Sequence, residues 1–356
     1  MNVMSNTMEA LVLTAPREFS VQEVPMPVAV DDEVLVKIDT TFICGTDPHI
    51  IQGDFPGFWP PAFPFTPGHE WSGTVEKMGP KAEALGWKKG DRVAAISHVG
   101  CGYCANCMKG RYTLCLNYGN TAAGHRQHGH ITPGAYAQYM VSSVKSLYKI
   151  PDEMDLEYAA CVDPLSIALY TVNRSRMEAG DDVLIMGTGP QGLMALLCAI
   201  AMGAGRGFIA GSGERLALAE SLGGSGINYR NEDVLEAVRK HTDGLGVPRV
   251  LECAGTAQSI QQSCHAAAKG GVVSMIGIPH GDPEIPVKRM VLDEVEMIGN
   301  RANPNTAEPA IAMMHEGRVD LKPLMSHTFP LSDFATALET YEQRKDGAMK
   351  VAIKPN

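Results

Sequence analysis

Between Glu9 and Ile96 apolar and polar positions follow the period of a strand, with Val34, Val36 and Ile38 alternating with polar neighbours. Pro16, Pro25, Pro27 and Gly90-Asp91 break this stretch into short pieces, so the pattern predicts a β-rich first part, a partly open barrel or sandwich. Ala135 to Pro151 reads as further strand. The texture changes at Asp182. Val183–Met186 is a short, wholly apolar run, and the apolar helix Leu193–Met202 comes soon after it. Gly207–Ala210, Arg249–Cys253 and Gly271–Gly277 repeat the buried-strand pattern, with a helix predicted over Thr256–Ala268. Apolar strands alternating with helices predict a parallel sheet covered on both faces. Helices over Pro304–Glu316 and Ser332–Gln343 and a last strand over Met349–Ile353 complete the chain, without tandem repeats or low-complexity tracts.

A length of 356 residues exceeds one ordinary hydrophobic core and predicts two domains. The composition, 45% hydrophobic and 20% charged, is that of a soluble protein. A formal charge of −10 argues against a life on phosphate backbones or anionic membranes, and for a small-molecule substrate. Met1–Glu9 has neither a basic segment nor an apolar core, and no run reaches the length of a membrane span, so a cytoplasmic location is expected.

Cysteine usage sharpens this picture. Cys101-x2-Cys104-x2-Cys107-x7-Cys115 brings four thiolates together, with Gly102, Asn106 and Gly110 permitting tight turns. Four sulfurs close a tetrahedral shell and leave no position for substrate, which points to a structural zinc. An iron–sulfur cluster, a redox pair and a zinc module for nucleic acid are the competing readings. Cys161, Cys198, Cys253 and Cys264 sit in apolar surroundings and read as packing.

Cys44 differs from them. It opens Cys44-Gly45-Thr46-Asp47-Pro48-His49, and Pro67-Gly68-His69-Glu70 follows. A thiolate and an imidazole from separate segments can share one metal and leave its shell incomplete, as a reactive site requires. Thr46 and His49 are spaced for a proton path to solvent, and Asp47 is placed to orient a metal-bound His69 from behind. Helix capping by Thr46 and Asp47, and an ordinary surface role for His49, are the structural alternatives. The loop Phe55–Phe65 precedes His69, and its Phe55, Phe58 and Trp59 are candidates for the wall of a substrate pocket. His125, His128 and His130 read as a polar loop in preference to a further metal site.

In the second half, Gly187-Thr188-Gly189-Pro190-Gln191-Gly192 stands between an apolar strand and an apolar helix. Strand, Gly-x-Gly-x-x-Gly and helix in that order form a dinucleotide site, in which backbone amides meet a pyrophosphate at the helix N-terminus. No acid follows the next strand at the place where one would bond a ribose 2′-hydroxyl. The chain there reads Gly211-Ser212-Gly213-Glu214-Arg215, and a Gly-Ser turn beside Arg215 suits a 2′-phosphate, favouring NADP over NAD.

Cys-Gly-Thr-Asp followed by Pro-Gly-His-Glu, with the four-cysteine lobe, the glycine turn and Val-Leu-Glu-Cys-Ala-Gly, resembles the zinc-dependent branch of the medium-chain dehydrogenases and reductases over nearly the whole chain. That branch includes sorbitol, threonine and secondary-alcohol dehydrogenases. The resemblance implies a GroES-like, partly open β-barrel catalytic domain over 1–160 with the zinc lobe at about 98–118. It also implies a Rossmann doubly wound domain over 161–297 and a C-terminal return to the catalytic domain over 298–356. Asp163, beside Pro164, becomes the candidate third ligand of the catalytic zinc, with Glu70 binding directly or exchanging with water; its bland role is a helix N-cap. The backbone of Met275–Ile278, Ile276 included, falls where the nicotinamide amide is held. Met297–Arg301 would run back towards the first domain, placing Arg301 near nicotinamide or substrate. Tyr229-Arg230 resembles the adenine-ribose edge of NADP-dependent members. The implied activity is reversible hydride transfer between a secondary alcohol or polyol and a nicotinamide cofactor, in a homodimer or homotetramer. The Cys44–His69 spacing fits the polyol and threonine branches, whereas Asp163 and Gly211-Ser212 fit simple secondary alcohols. A zinc-free quinone or enoyl reductase and a zinc hydrolase remain as alternatives, the latter lacking a second histidine after His69-Glu70.

Overall fold

The alternating positions around Val34–Ile38 lie in the strand Glu33–Phe42, the central member of the sheet that carries the first unit of the chain. A computed structural model describes residues 6–356, so the first five residues of the expected catalytic domain lie outside the described residues. The first compact unit comprises the chain up to Asp163, together with Ala307–His315 and Leu321–Asn356. Its seven-stranded sheet runs in the order Met325–Pro330, Lys350–Lys354, Glu33–Phe42, Glu70–Met78, Arg92–Ala95 and Leu147–Lys149, with Tyr139–Ser143 also paired to Glu33–Phe42. The hairpin of Thr7–Ala15 and Glu18–Pro25 stands beside it. Apolar alternation drives this arrangement. Val34, Val36 and Ile38 share one buried cluster with Trp71, Val75 and Val93, and Leu11, Leu13, Val351 and Ile353 share another with Tyr136 and Phe334.

The second unit comprises Pro164–Thr306 and Glu316–Asp320. Its six strands are all parallel, in the spatial order Ser225–Asn228, Gly207–Gly211, Val183–Met186, Val247–Glu252, Ala267–Met275 and Glu296–Gly299. Numbered along the chain this is 3-2-1-4-5-6, the doubly wound order whose ligand crevice opens at the strand ends where winding reverses. The expected α/β plus β-rich architecture is therefore present.

Two expectations are corrected. Met297–Arg301 does not leave the sheet at once. Glu296–Gly299 is its sixth strand, because Met297 packs on the apolar cluster formed by Leu184, Val250 and Val273, and the chain joins the first unit only at Ala307. Asp163 is not an N-cap either: the helix Val162–Arg174 starts before it, placing Asp163 within the first turn. Among the described residues no helix is long and apolar enough to cross a membrane.

Candidate metal centre and dinucleotide turn

Strand register brings the distant ligand candidates together. Glu33–Phe42 and Glu70–Met78 are antiparallel with Phe42 opposite Glu70, so the chain leaving the first strand towards Cys44 and the chain entering the second from His69 meet at one end of the sheet. One ligating atom each from Cys44, His69 and Glu70 lies within 4.8 Å of the other two, and His69 and Glu70 are buried. The short helix Asp47–Gln52, opened by Pro48, turns Asp47 inward behind His69.

Asp47 is fully buried and organises this corner. Its Oδ2 accepts hydrogen bonds from the Cys44 amide at 2.9 Å and from the Tyr136 hydroxyl at 2.7 Å. Its Oδ1 stands 3.5 Å from His69 Nδ1, which leaves the other ring nitrogen, Nε2, for a metal; Thr46 Oγ1 is 3.5 Å from that atom. Burial opposes ionisation of Asp47, but His69 and the Cys44 and Tyr136 donors outweigh it and hold its pKa below the usual carboxylate value. Burial likewise opposes a proton on His69, yet the Cys44 and Asp47 charges raise its pKa well above normal. Burial and the Asp47 carboxylate keep the Tyr136 phenol protonated, so it remains a donor. The anions that favour positive charge on His69 equally favour a divalent cation there, and a thiolate, an imidazole and a carboxylate in reach of one point suit zinc.

Lys350 is the residue that sequence reading missed. Its ammonium, buried to 1% exposure, pairs with Glu70 Oε2, donates to the Ile43 carbonyl at 3.3 Å and lies 5.1 Å from the centre of the Phe42 ring. The available signal was a lysine inside the otherwise apolar run Met349–Ile353. Asp163, by contrast, is not in the Cys44–His69–Glu70 group. Its Oδ1 accepts from the Ser97 amide at 3.2 Å, a backbone contact set by its position in the first turn of a buried helix. His49 sits at the site's outer side, partly exposed, with Nδ1 2.7 Å from Asp54 Oδ2.

The loop before His69 supplies an aromatic flank. Trp59 is buried among Phe55 and Phe58, at 5.1 Å from each ring, and the His130 ring lies 4.8 Å from it. The His130 ring in turn lies 4.3 Å from the His69 ring. His125, His128 and His130, the polar loop of the sequence, are all buried, and none of them is in a metal-ligating group among the described residues. The cause is close backbone approach at Gly129, where an added Cβ would come within 2.4 Å of the Gly68 carbonyl. His128, held near Thr132 and Ser142 hydroxyls at 3.2 Å, is pushed by burial down to a pKa of about 4 and is neutral.

In the cysteine lobe Cys101, Cys104, Cys107 and Cys115 also place their sulfurs within 4.8 Å of one another. Amides of Cys104, Cys107 and Leu116 point at these sulfurs at 3.4 Å, and the Asn117 side chain at 3.3 Å. Burial raises the Cys101 pKa, but donors from Tyr103, Asn117 and Cys104 override it and bring the thiol down to about 6, whereas burial pushes Cys107 up to about 12 and raises Cys115.

In the second unit the helix Pro190–Ala201 starts at Gly189 directly after the strand Val183–Met186 and the turn at Gly187. At Gly192 a Cβ would lie 1.9 Å from the Gly187 carbonyl, so only glycine lets this turn close against its helix. Gln191 Nε2 donates to the Pro164 carbonyl at 3.2 Å. At the next strand end, Ser212 precedes the helix Gly213–Ser221 and donates to the Tyr229 hydroxyl at 3.0 Å, while Arg215 lies in that helix's first turn. The structure thus brings Gly211, Ser212 and Tyr229 together, the Tyr229 amide donating to the Gly211 carbonyl at 3.3 Å. The Ile276 amide is occupied by the Glu252 carbonyl at 2.9 Å, and Arg301 is partly buried beyond the last strand of the sheet.

Known proteins share both halves. Residues 30–152 match the family model described as alcohol dehydrogenase GroES-like domain, and residues 190–316 the one described as zinc-binding dehydrogenase. A sorbitol dehydrogenase of Bacillus subtilis (strain 168) is 32% identical over 356 residues, spanning 98% of each chain. An L-threonine 3-dehydrogenase of Bacillus velezensis is 33% identical over 344 residues, 94% of this chain and 95% of that one. A zinc-binding dehydrogenase from Sinorhizobium meliloti 1021, solved bound to NADP, superposes with a TM-score of 0.89 at 29% identity, covering 99% of this chain and 100% of its own.

Proposed function

Because the chain belongs to the zinc-dependent medium-chain dehydrogenase family, we propose that it interconverts a secondary alcohol or polyol and the corresponding ketone, with a nicotinamide dinucleotide as redox partner. The observation that carries this reading is the meeting of half-buried Cys44 with buried His69 and Glu70 at one sheet end. Zinc, when bound there, supplies stabilisation of negative charge on the substrate oxygen, and the nicotinamide supplies the hydride acceptor. Cys44 and His69 hold the ion, with Asp47 orienting His69 and Glu70 as the exchanging carboxylate, while Asp163, bonded to the Ser97 amide, stands outside this group. Thr46 would relay the proton, accepting the substrate's as it hands on its own, and His49, beside Asp54, would receive it for release to solvent. Phe55, Phe58 and Trp59 form the apolar wall against which the carbon chain of the substrate lies. A zinc-free quinone or enoyl reductase has little use for such a donor set, so a metal count separates the two.

The direct test is a nicotinamide absorbance screen of secondary alcohols, diols and sugar alcohols with NAD and NADP, before and after zinc chelation. Turnover that survives complete removal of zinc defeats the proposal. His49→Ala is expected to slow oxidation about 10-fold or more at neutral pH, as loss of one proton-transfer group does. The same variant should alter the pH–rate profile, and an unchanged profile counts against the relay.

For the cofactor we favour NADP. The strand Gly207–Gly211 ends without a carboxylate, and Ser212, Tyr229 and the nearby Arg215 offer hydroxyls and a guanidinium to a 2′-phosphate. Arg215→Ala should raise KM for NADP about 10-fold while leaving that for NAD within about two-fold, given a charged hydrogen bond's worth. Equal effects on both cofactors in steady-state assays would refute this assignment. The nicotinamide end falls to the backbone around Ile276 and to Arg301, and the enzyme is proposed to work as a cytoplasmic homodimer or homotetramer.

A further inference from the structure

The four-cysteine lobe has a connection that a purely structural metal does not require. Tyr118 leaves the lobe directly after Cys115, with its amide bonded to the Cys115 carbonyl at 3.1 Å. Its hydroxyl accepts the indole N–H of Trp59 at 2.7 Å and donates to Gln127 Oε1. Its ring stacks on Phe58, with centroids 5.5 Å apart. Trp59 is thus gripped at its polar edge by the lobe and touched on its ring by His130, whose own ring is the neighbour of His69. A run of contacts, through the backbone at Cys115 and through side chains from Tyr118 onward, joins the cysteine lobe to a proposed ligand of the reactive metal.

We propose that Tyr118 is a positioning residue for substrate specificity: it fixes the angle of the Trp59 ring, and hence the width of the substrate pocket beside His69. The physical basis is the single polar atom of the indole. An otherwise apolar ring can slide or tilt among Phe55, Phe58 and His130 at little cost, whereas a buried N–H has one good orientation once its acceptor is fixed. Gln127 fixes that acceptor by accepting the hydroxyl's hydrogen bond, which leaves the Tyr118 lone pairs facing the indole. Gln127 is buried and lies in the short strand Arg126–Gln127, paired with His98–Val99 at the base of the lobe, so the grip is anchored in backbone. The lobe therefore acts on which alcohols fit and leaves the chemistry of the reacting carbon alone. This inference rests on the reading of Trp59 as a substrate wall.

A double-mutant cycle tests it in the zinc-loaded enzyme. Tyr118→Phe keeps the stacking ring and removes the acceptor; Trp59→Phe removes the indole; the double variant removes both. With the best polyol found in the screen, Tyr118→Phe should raise KM about three- to ten-fold, the worth of one hydrogen bond, with kcat within about two-fold and zinc content unchanged. The double variant should be no worse than Trp59→Phe alone, since the two residues act through one contact. Tryptophan emission gives a readout apart from turnover: the component lost in Trp59→Phe should shift in Tyr118→Phe. A shifted KM in Trp59→Phe with wild-type KM and emission in Tyr118→Phe overturns the inference alone, as do effects that multiply in the double variant. An unchanged KM in Trp59→Phe overturns the wall reading, and this inference with it.

Discussion

Cys44→Ser is expected to abolish turnover and to release the zinc of the reactive centre while leaving that of the cysteine lobe in place. A thiolate carries the charge and softness that hold zinc, and a serine hydroxyl stays protonated at any pH the protein survives. His69 and Glu70 alone make a poor site, because Glu70 is already paired with Lys350. Loss of the charge stabilisation that a metal provides, worth several kcal/mol, lowers kcat/KM by about 10³ or more. The fold should tolerate the change. Serine is close in size, and the Cys44 backbone amide, not its side chain, makes the bond to Asp47. The dinucleotide turn belongs to the other unit, so cofactor binding followed by fluorescence should persist. Metal analysis, circular dichroism and steady-state rates on one preparation decide the matter: full turnover with the wild-type zinc content would falsify the assignment of Cys44.

What the sequence made legible has local causes. The parallel sheet declared itself because buried strands such as Val183–Met186 are apolar without interruption, and the glycine turn follows within a few residues. Cys44 and His69 were visible because chemistry restricts which residues bind zinc, and the cysteine lobe because its four sulfurs are close in the chain. The misses are contacts made by register and turn geometry. Lys350 is 280 residues from Glu70 and reaches it only because Lys350–Lys354 pairs with Glu33–Phe42 next to Glu70–Met78. Tyr136 meets Asp47 across 89 residues, and His130 reaches His69 through the tight packing of Gly129 on Gly68. Asp163 is the converse case. A carboxylate before proline is a good ligand or cap by type, yet the helix begins a residue early and its Oδ1 is taken by the Ser97 amide. Alternation and composition carry no information on such pairings, since a polar residue at an inward position looks the same whatever it meets.

Lys350→Met should be the most destabilising single change at this site. Lys350 and Glu70 are both about 1% exposed, so neither charge has water to fall back on. Burial alone would push the Lys350 pKa down, but the Glu70 carboxylate foremost among its neighbours raises it, so the ammonium stays charged and serves as the counter-ion of Glu70. Methionine fills a similar volume in an apolar strand and packs on Phe42, which limits the cavity cost. What remains is the Glu70 carboxylate, buried beside a thiol with its partner gone, a situation that costs about 3–5 kcal/mol. Denaturant titration of the zinc-depleted protein should show a loss of that size in the transition of the first unit. Saturating zinc should restore part of it, because a divalent ion near Cys44 and His69 supplies the missing positive charge. The charge origin has its own control: Lys350→Met with Glu70→Gln leaves no lone ion and should recover most of the stability. If the double variant is no more stable than Lys350→Met, the loss lies in packing along the strand Lys350–Lys354 and the ion pair is not what anchors the metal corner.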